Sequence, residues 1–273
     1  MQDPAHERLE RPPELARMFD RVAGDYEARP DYPRHVFDVL VERCGLGPGS
    51  RVLEIGAGSG QATLPLLDRG AQVTAVEPGD ALARRLVERT SGRSIDVIVS
   101  VFEDVEFAEA SFDLAASATA FHWIDLAVGL ERCARFLRDG GWLALWWTFW
   151  GDPDRSDPFH EALQPVLRQK APHLVAEETG ARAHMRDIAS RAAEIERTRW
   201  FEMLEEESMR WEGKHDPESI RRIFATFGGW IALPESLRTE LLDDVERLAR
   251  EAFSGTVTRP YKTVLYRARR VPR

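Results

Sequence analysis

The chain has 273 residues, enough for one large α/β domain or two small ones, since domains run to about 100–200 residues. Its 43% hydrophobic and 30% charged content is that of a chain that folds on its own, which excludes a disordered protein. A formal net charge of -9 argues against a general affinity for phosphate backbones, so no nucleic-acid partner is expected.

The two cysteines, Cys44 and Cys133, have neither CxxC nor zinc spacing, so no disulfide framework and no metal site are expected, and a reducing, cytoplasmic setting fits. The N-terminus lacks the basic-then-apolar pattern of a signal peptide. The longest run dominated by apolar residues, Trp142 to Trp150, is far shorter than the roughly 20 residues that span a bilayer, so no membrane role is expected.

In chain order, residues 1–12 are polar and proline-bearing and read as a loose arm, while 13–22 and 34–44 carry apolar residues at helical spacing. Gly24, Pro30 and Pro33 mark the connection between those helices as a loop. A β-turn-α unit follows, with a strand over 51–55, a glycine turn over 56–60 and a helix over 61–68. The alternation continues as strand 72–76, helix 80–90, strand 95–101, strand 112–117, helix 123–138 and strand 141–149. Such alternation predicts a doubly wound, mostly parallel sheet with helices on both faces. Trp142, Trp146 and Trp147 are expected to fill the core on either side of their strand.

After residue 150 the alternation stops. Residues 151–198 are charged and helix-prone and read as a helical insertion over the sheet, with Asp152-Pro153 and Asp157-Pro158 as breakers. Asp216-Pro217 predicts an N-cap and first helical residue, opening a helix to about Phe227. A further helix over 234–253 and a last strand over 256–267 complete the chain. The expected organisation is an N-terminal helical cap over 1–45, a cofactor-binding α/β core over 46–150, the insertion over 151–198 as a lid for the acceptor, and a segment over 199–273 that completes the core. The charged stretches at Glu205–Glu207 and Arg191–Arg199 read as solvated surface.

The strongest local signal is Glu54-Ile-Gly56-Ala-Gly58-Ser-Gly60 between a strand and a helix, where glycines let the backbone turn tightly and approach a ligand. The spacing is GxGxG, and Gln61 stands where a dinucleotide binder would carry its third glycine, which disfavours a nicotinamide oxidoreductase. Glu77 ends the next strand, where an acid can accept both ribose hydroxyls of an adenosine ligand.

Together with Val76-Glu-Pro78, Phe102-Glu-Asp104, Ser111-Phe-Asp-Leu114, Ala120-Phe-His-Trp-Ile-Asp125 and Leu137-Arg-Asp-Gly-Gly-Trp-Leu143, this turn resembles the class I S-adenosylmethionine-dependent methyltransferases. The likeness runs over about 51–150. The segments Phe19 to Pro33 and Arg259-Pro-Tyr-Lys-Thr-Val-Leu-Tyr266 are similar to the trans-aconitate methyltransferase-like group of small-molecule enzymes. The resemblance implies a seven-stranded, Rossmann-like methyltransferase sheet and S-adenosylmethionine as cofactor, with S-adenosylhomocysteine as product and no metal. It places Glu54, Gly56, Ala57, Gly58 and Gly60 at the methionine part, Glu77 and Pro78 at the ribose, Phe102 and Glu103 at the adenine, and Ser117 at the methyl end. Val101 departs from the pattern, being apolar where many relatives carry the adenine-reading acid.

Methyl transfer from a sulfonium is an in-line displacement in which positioning supplies much of the acceleration. His122, just beyond the fourth strand, is the candidate general base, since its near-neutral pKa suits proton transfer. Trp123 and Trp150 are candidate walls of the acceptor pocket, and Tyr26, Arg29 and Tyr32 are candidates to close over it from the N-terminal loop. The expected activity is methylation of a small-molecule acceptor, at a carboxylate or hydroxyl oxygen, by a monomer or homodimer. The alternatives are a methyltransferase for a macromolecule and a non-catalytic S-adenosylmethionine-binding scaffold. The acidic balance and the lack of an Asn/Asp-Pro-Pro-Tyr/Phe sequence after the fourth strand disfavour the former, and the intact glycine turn and ribose acid disfavour the latter.

Overall fold

The computed structural model describes residues 17–175, 190 and 193–272, so the expected arm over 1–12 and the start of the first expected helix lie outside the described residues. Arg17–Val22 form a 3-10 helix continued by α1 (Ala23–Tyr26), and α2 (Arg34–Cys44) ends on Gly45 in the left-handed conformation that favours glycine. The α/β units follow as β1 (Arg51–Ile55), α3 (Thr63–Asp68), β2 (Gln72–Glu77), α4 (Asp80–Arg89), β3 (Ile95–Val99), β4 (Phe112–Ala118), α5 (Leu126–Phe136) and β5 (Leu137–Phe149). The second half carries α6 (Pro158–Lys170), β6 (Phe201–His215), α7 (Pro217–Ala225), α8 (Gly228–Ile231), α9 (Glu235–Ala252) and β7 (Val257–Arg270).

The strands form one seven-stranded sheet in the order β3-β2-β1-β4-β5-β7-β6. The first five pair in parallel, and β7 runs antiparallel to both β5 and β6. The sheet is therefore doubly wound and mostly parallel, as the alternating sequence predicts. Its order reverses between β1 and β4, the switch point outside which ligands of open α/β sheets collect.

Successive residues of a strand face opposite sides, and the core follows that period. Val52, Val73, Leu114, Ala144 and Trp146 pack on one face with α2, whereas Leu53, Ile55, Ala115, Leu145 and Trp147 pack on the other with α5. Trp146 is fully buried with Tyr32 and Phe37 edge-on to its indole, as expected of core filling. A third core gathers Phe159 and Leu163 of α6, Ile220, Ile223 and Phe224 of α7, and Leu241 and Val245 of α9. Helices on both sides of residue 198 share it, so the boundary expected between the insertion and the completing segment is not a boundary in packing.

Three elements differ from the sequence expectation. The helix expected over 123–138 starts at Leu126, because the Asp125 carboxylate caps it by accepting from the Val128 N–H at 3.1 Å, and residues 121–123 form a separate 3-10 turn. β5 begins at Leu137 directly after α5, with Gly140 in the left-handed conformation inside it. Finally, β6 is a 15-residue edge strand that the sequence pattern does not reveal. Its glutamates disguise it: Glu205 and Glu207 meet Arg267 of the neighbouring β7, so charge on this strand satisfies charge on the next. No helix among the described residues is long and apolar enough to cross a membrane.

Candidate active site

The turn after β1 is fixed by its neighbour strand. The N–H groups of Gly56 and Ala57 donate to the Val76 carbonyl at 2.8 and 3.3 Å, which draws the turn across the end of β2. Gly56 has φ +73°, and a Cβ there would lie 2.4 Å from the Cβ of Ala120, so the turns after β1 and β4 approach more closely than any side chain permits. Glu77 then clamps the turn. Its Oε2 accepts from the Gly58 N–H at 2.8 Å and its Oε1 from the Gly79 N–H at 2.9 Å.

Both acids of this region are buried, and burial decides their protonation. Burial pushes the Glu77 carboxyl up to about 7, against the pull of its two backbone donors and with the help of nearby Asp20. Glu54 is pushed up to about 8 by burial, which the nearby Thr63 hydroxyl only partly offsets. Neither Glu54 oxygen has a hydrogen-bond partner among the described residues.

Beside the turn lies a cavity of about 1010 Å³, lined by the ends of β1, β2, β4 and β5. Single-ligand pockets run to about 300–1,000 Å³, so this one has room for two molecules side by side. Of the residues expected at the cofactor, Gly56, Gly58, Glu77, Pro78, Phe102 and Glu103 line it, and Val101 lines it beside them. Glu54, Ala57, Gly60 and Ser117 do not. Ser117 is fully buried and its hydroxyl donates to the Ile55 carbonyl at 2.8 Å, so it fastens β4 to β1 and does not face the methyl end.

The N-terminal segment roofs the cavity. Asp20 accepts from the N–H groups of Ala81 and Leu82 at the start of α4, and Gln61 donates to the Tyr26 carbonyl at 3.1 Å, so both ends of the segment are tied to the cofactor half. Phe19, Tyr26 and Arg29 line the cavity, with the Arg29 guanidinium 4.3 Å from the Tyr26 ring centroid. Tyr32, expected beside them, does not: it packs on Trp146 and its hydroxyl donates to Thr119 Oγ1 at 3.3 Å. Burial holds the Tyr32 phenol well above its usual value, so it remains a neutral packing residue.

Within the cavity lining the Trp147 indole N–H donates to His122 Nδ1 at 3.1 Å. An indole nitrogen can only donate, so Nδ1 must accept and the ring proton of the neutral imidazole sits on Nε2. His122 therefore presents a donor, which does not suit the proton-accepting role expected from the sequence. Trp147, expected only to fill the core, lines the cavity and sets this tautomer. Trp123 and Trp150 also line it, as expected of walls. Trp123 packs on Phe19 and Trp150 on Phe227 and Tyr261.

Sequence reasoning missed Thr119, Asp157 and Arg259, all of which line the cavity. Thr119 holds φ +53°, an uncommon conformation for a residue other than glycine, at the end of β4 where the site begins. The signal for Asp157 was present: Asp157-Pro158 has the same cap-then-proline grammar as Asp216-Pro217, and it opens α6. Among the described residues no cluster of three His, Cys, Asp or Glu side chains is placed to hold a metal ion.

The comparisons with known proteins point one way. Residues 53–145 match the family described as Methyltransferase domain. An uncharacterized methyltransferase of Mycobacterium tuberculosis is 27% identical over 260 residues, covering 93% of this chain and 96% of that protein. The malonyl-[acyl-carrier protein] O-methyltransferase of Pseudescherichia vulneris is 30% identical over 167 residues, covering 60% of this chain and 64% of its own. Among solved structures, one assigned as a type II methyltransferase from Anaeromyxobacter dehalogenans aligns with a TM-score of 0.60 at 23% identity, over 90% of this chain and 99% of that one. The fold and the site thus define a methyltransferase of the Rossmann-like kind. Residues 53–145 match a methyltransferase domain, and over most of its length the chain is similar to proteins described as methyltransferases.

Proposed function

We propose that the protein binds S-adenosylmethionine in the Glu77 half of the cavity and methylates an oxygen of a small molecule bound in the Trp150 half. The observation that carries this reading is the Glu77 carboxylate, pinned by the N–H groups of Gly58 and Gly79 at the wall of a cavity with room for two ligands. A carboxylate fixed in this way keeps lone pairs for two ribose hydroxyls, and Gly56 and Gly58 of the tight turn line the same cavity. Bound there, the cofactor supplies an electrophilic methyl group on a sulfonium. Gly56, Gly58 and Glu77 would hold that cofactor, and an acceptor oxygen lying in line with its methyl–sulfur bond would receive the methyl group.

The protein's own contribution is alignment and exclusion of water. Phe19 and Tyr26 cover the cavity, and Trp123, Trp147 and Trp150 wall its far half. With Nδ1 taken up by the Trp147 N–H, His122 has no ring lone pair with which to remove a proton, so the site favours an acceptor already ionised, a carboxylate. The relative named for malonyl-[acyl-carrier protein] O-methylation supports an oxygen acceptor.

The deciding experiment is calorimetric titration of the purified protein with S-adenosylmethionine, S-adenosylhomocysteine and NAD. Binding of the first two at micromolar concentration, without NAD, is the expected result, and preference for NAD would overturn the reading. With an active acceptor in hand, H122Q is expected to lower kcat by less than about tenfold and to leave the shape of the pH–rate profile unchanged, because a general base contributes about 10²–10⁴. A hundredfold loss together with a vanished acid limb would restore His122 as the base.

A further inference from the structure

The far half of the cavity holds a guanidinium with donors to spare. Arg259, at the start of β7, is 1% exposed and lines the cavity. Its Nε and Nη2 both lie 2.8 Å from Asp157 Oδ2, and Nη2 also donates to the Trp150 carbonyl at 2.9 Å. Phe224 packs against the guanidinium, its ring centroid 5.4 Å from Cζ. Nη1 has no hydrogen-bond partner among the described residues. A buried cationic nitrogen with two unused hydrogens is costly to leave unmet, and in native proteins it marks a ligand or an ordered water.

A second guanidinium packs on the Trp150 ring. The Arg29 Cζ is 5.2 Å from the Trp150 ring centroid, and its hydrogen bonds run only to neutral groups: the hydroxyls of Tyr26 and Thr226 and the Thr226 carbonyl. Among the described residues no carboxylate pairs with Arg29, whereas Arg259 pairs with Asp157. Two guanidiniums thus meet at a single tryptophan, and Asp157 is the one carboxylate hydrogen-bonded to either of them among the described residues.

We infer that Arg259, with Arg29 on the Trp150 ring, anchors an oxyanion substituent of the acceptor, a carboxylate or a phosphate ester, distinct from the oxygen that is methylated. The inference rests on the proposed function, since it names the chemistry of the second ligand of the same cavity. The anchored group is not the nucleophile, because an oxyanion neutralised by a guanidinium is a weaker one. Asp157 is a positioning residue here: as the N-cap of α6 it accepts from the His160 N–H at 3.1 Å through Oδ1, and through Oδ2 it holds the Arg259 fork so that Nη1 is the edge left over.

The test titrates the protein, with and without saturating S-adenosylhomocysteine, with succinate against succinamide and with glycerol 3-phosphate against glycerol. At least one anionic probe is expected to bind ten times tighter than its neutral counterpart, and which pair shows the preference tells a carboxylate from a phosphate ester. Replacing Arg259 alone would strand the buried Asp157 charge and risk unfolding, so the informative variant is R259Q combined with D157N, in which asparagine keeps the helix cap. That double variant is expected to melt cooperatively, to bind S-adenosylhomocysteine within twofold of the parent and to lose the preference for anions. R29M is expected to reduce the preference by severalfold. Equal binding of charged and neutral probes to the parent, or a preference retained in the double variant, would overturn the inference. Absence of S-adenosylhomocysteine binding would instead overturn the methyl-transfer reading beneath it, and is read separately in the same titrations.

Discussion

The E77A variant is expected to bind S-adenosylmethionine about a hundredfold more weakly than the parent, close to 3 kcal/mol, because hydrogen bonds to a charged group are worth roughly 1.5–3 kcal/mol each. The loss has two sources. Alanine removes the acceptor for the ribose hydroxyls, and it frees the Gly58 and Gly79 N–H groups that Glu77 holds in place. E77Q should not rescue the function, since its amide would turn an NH₂ against one of those two donors. Because burial pushes the Glu77 carboxyl up to about 7, and the ionised form is the better acceptor, cofactor affinity of the parent is expected to rise as pH increases from 6 to 8. Calorimetry across that range checks both points. An affinity independent of pH and of residue 77 would remove Glu77 from the cofactor site.

The second large effect falls on stability. Glu54 ionises at an ordinary carboxylate value of 4.5 when unfolded, but burial raises it to about 8 in the folded protein. Below the unfolded value both states hold the proton and the group has no effect. Between the two values the folded state keeps a proton that the unfolded state has lost, so stability falls as pH rises through this window and stays low above about 8. E54Q replaces the acid with a neutral group of the same shape. It is expected to leave the melting temperature unchanged near pH 5 and to raise it by about 5 °C or more at pH 9, since about 1 kcal/mol shifts the midpoint by roughly 2–4 °C at this size. Thermal melts of the two proteins at both pH values decide it, and a parallel pH dependence would show that Glu54 reaches solvent or a partner when ionised.

The features of this molecule that are readable in its sequence are the local ones. The strand-turn-helix at 51–68 and the acid at Glu77 are set by neighbours in the chain and by backbone conformations that only glycine adopts readily, so spacing alone reveals them. The fully buried parallel strands betray themselves as apolar runs. Ser117 and Tyr32 were misplaced because strand position fixes where a Cα lies, whereas Ser117 turns to the Ile55 carbonyl and Tyr32 to Thr119 and Trp146, contacts made by residues far apart in the chain. The same limit hid the Asp157–Arg259 pair, whose partners stand 102 residues apart. His122 was legible as a site residue, but its chemistry depends on which nitrogen Trp147 occupies, and only the folded arrangement shows that.

The antiparallel strand β7 carries a consequence for the order in which the protein is built. It lies between β5 and β6, although both precede it in the chain, so β6 leaves the ribosome with no strand yet available to pair with it. Arg259 sits on that same late strand. The Glu77 half of the cavity can be assembled while synthesis continues, but the Trp150 half gains its guanidinium only once β7 has emerged. On the proposed function, the half assigned to the cofactor is therefore formed before the half assigned to the acceptor.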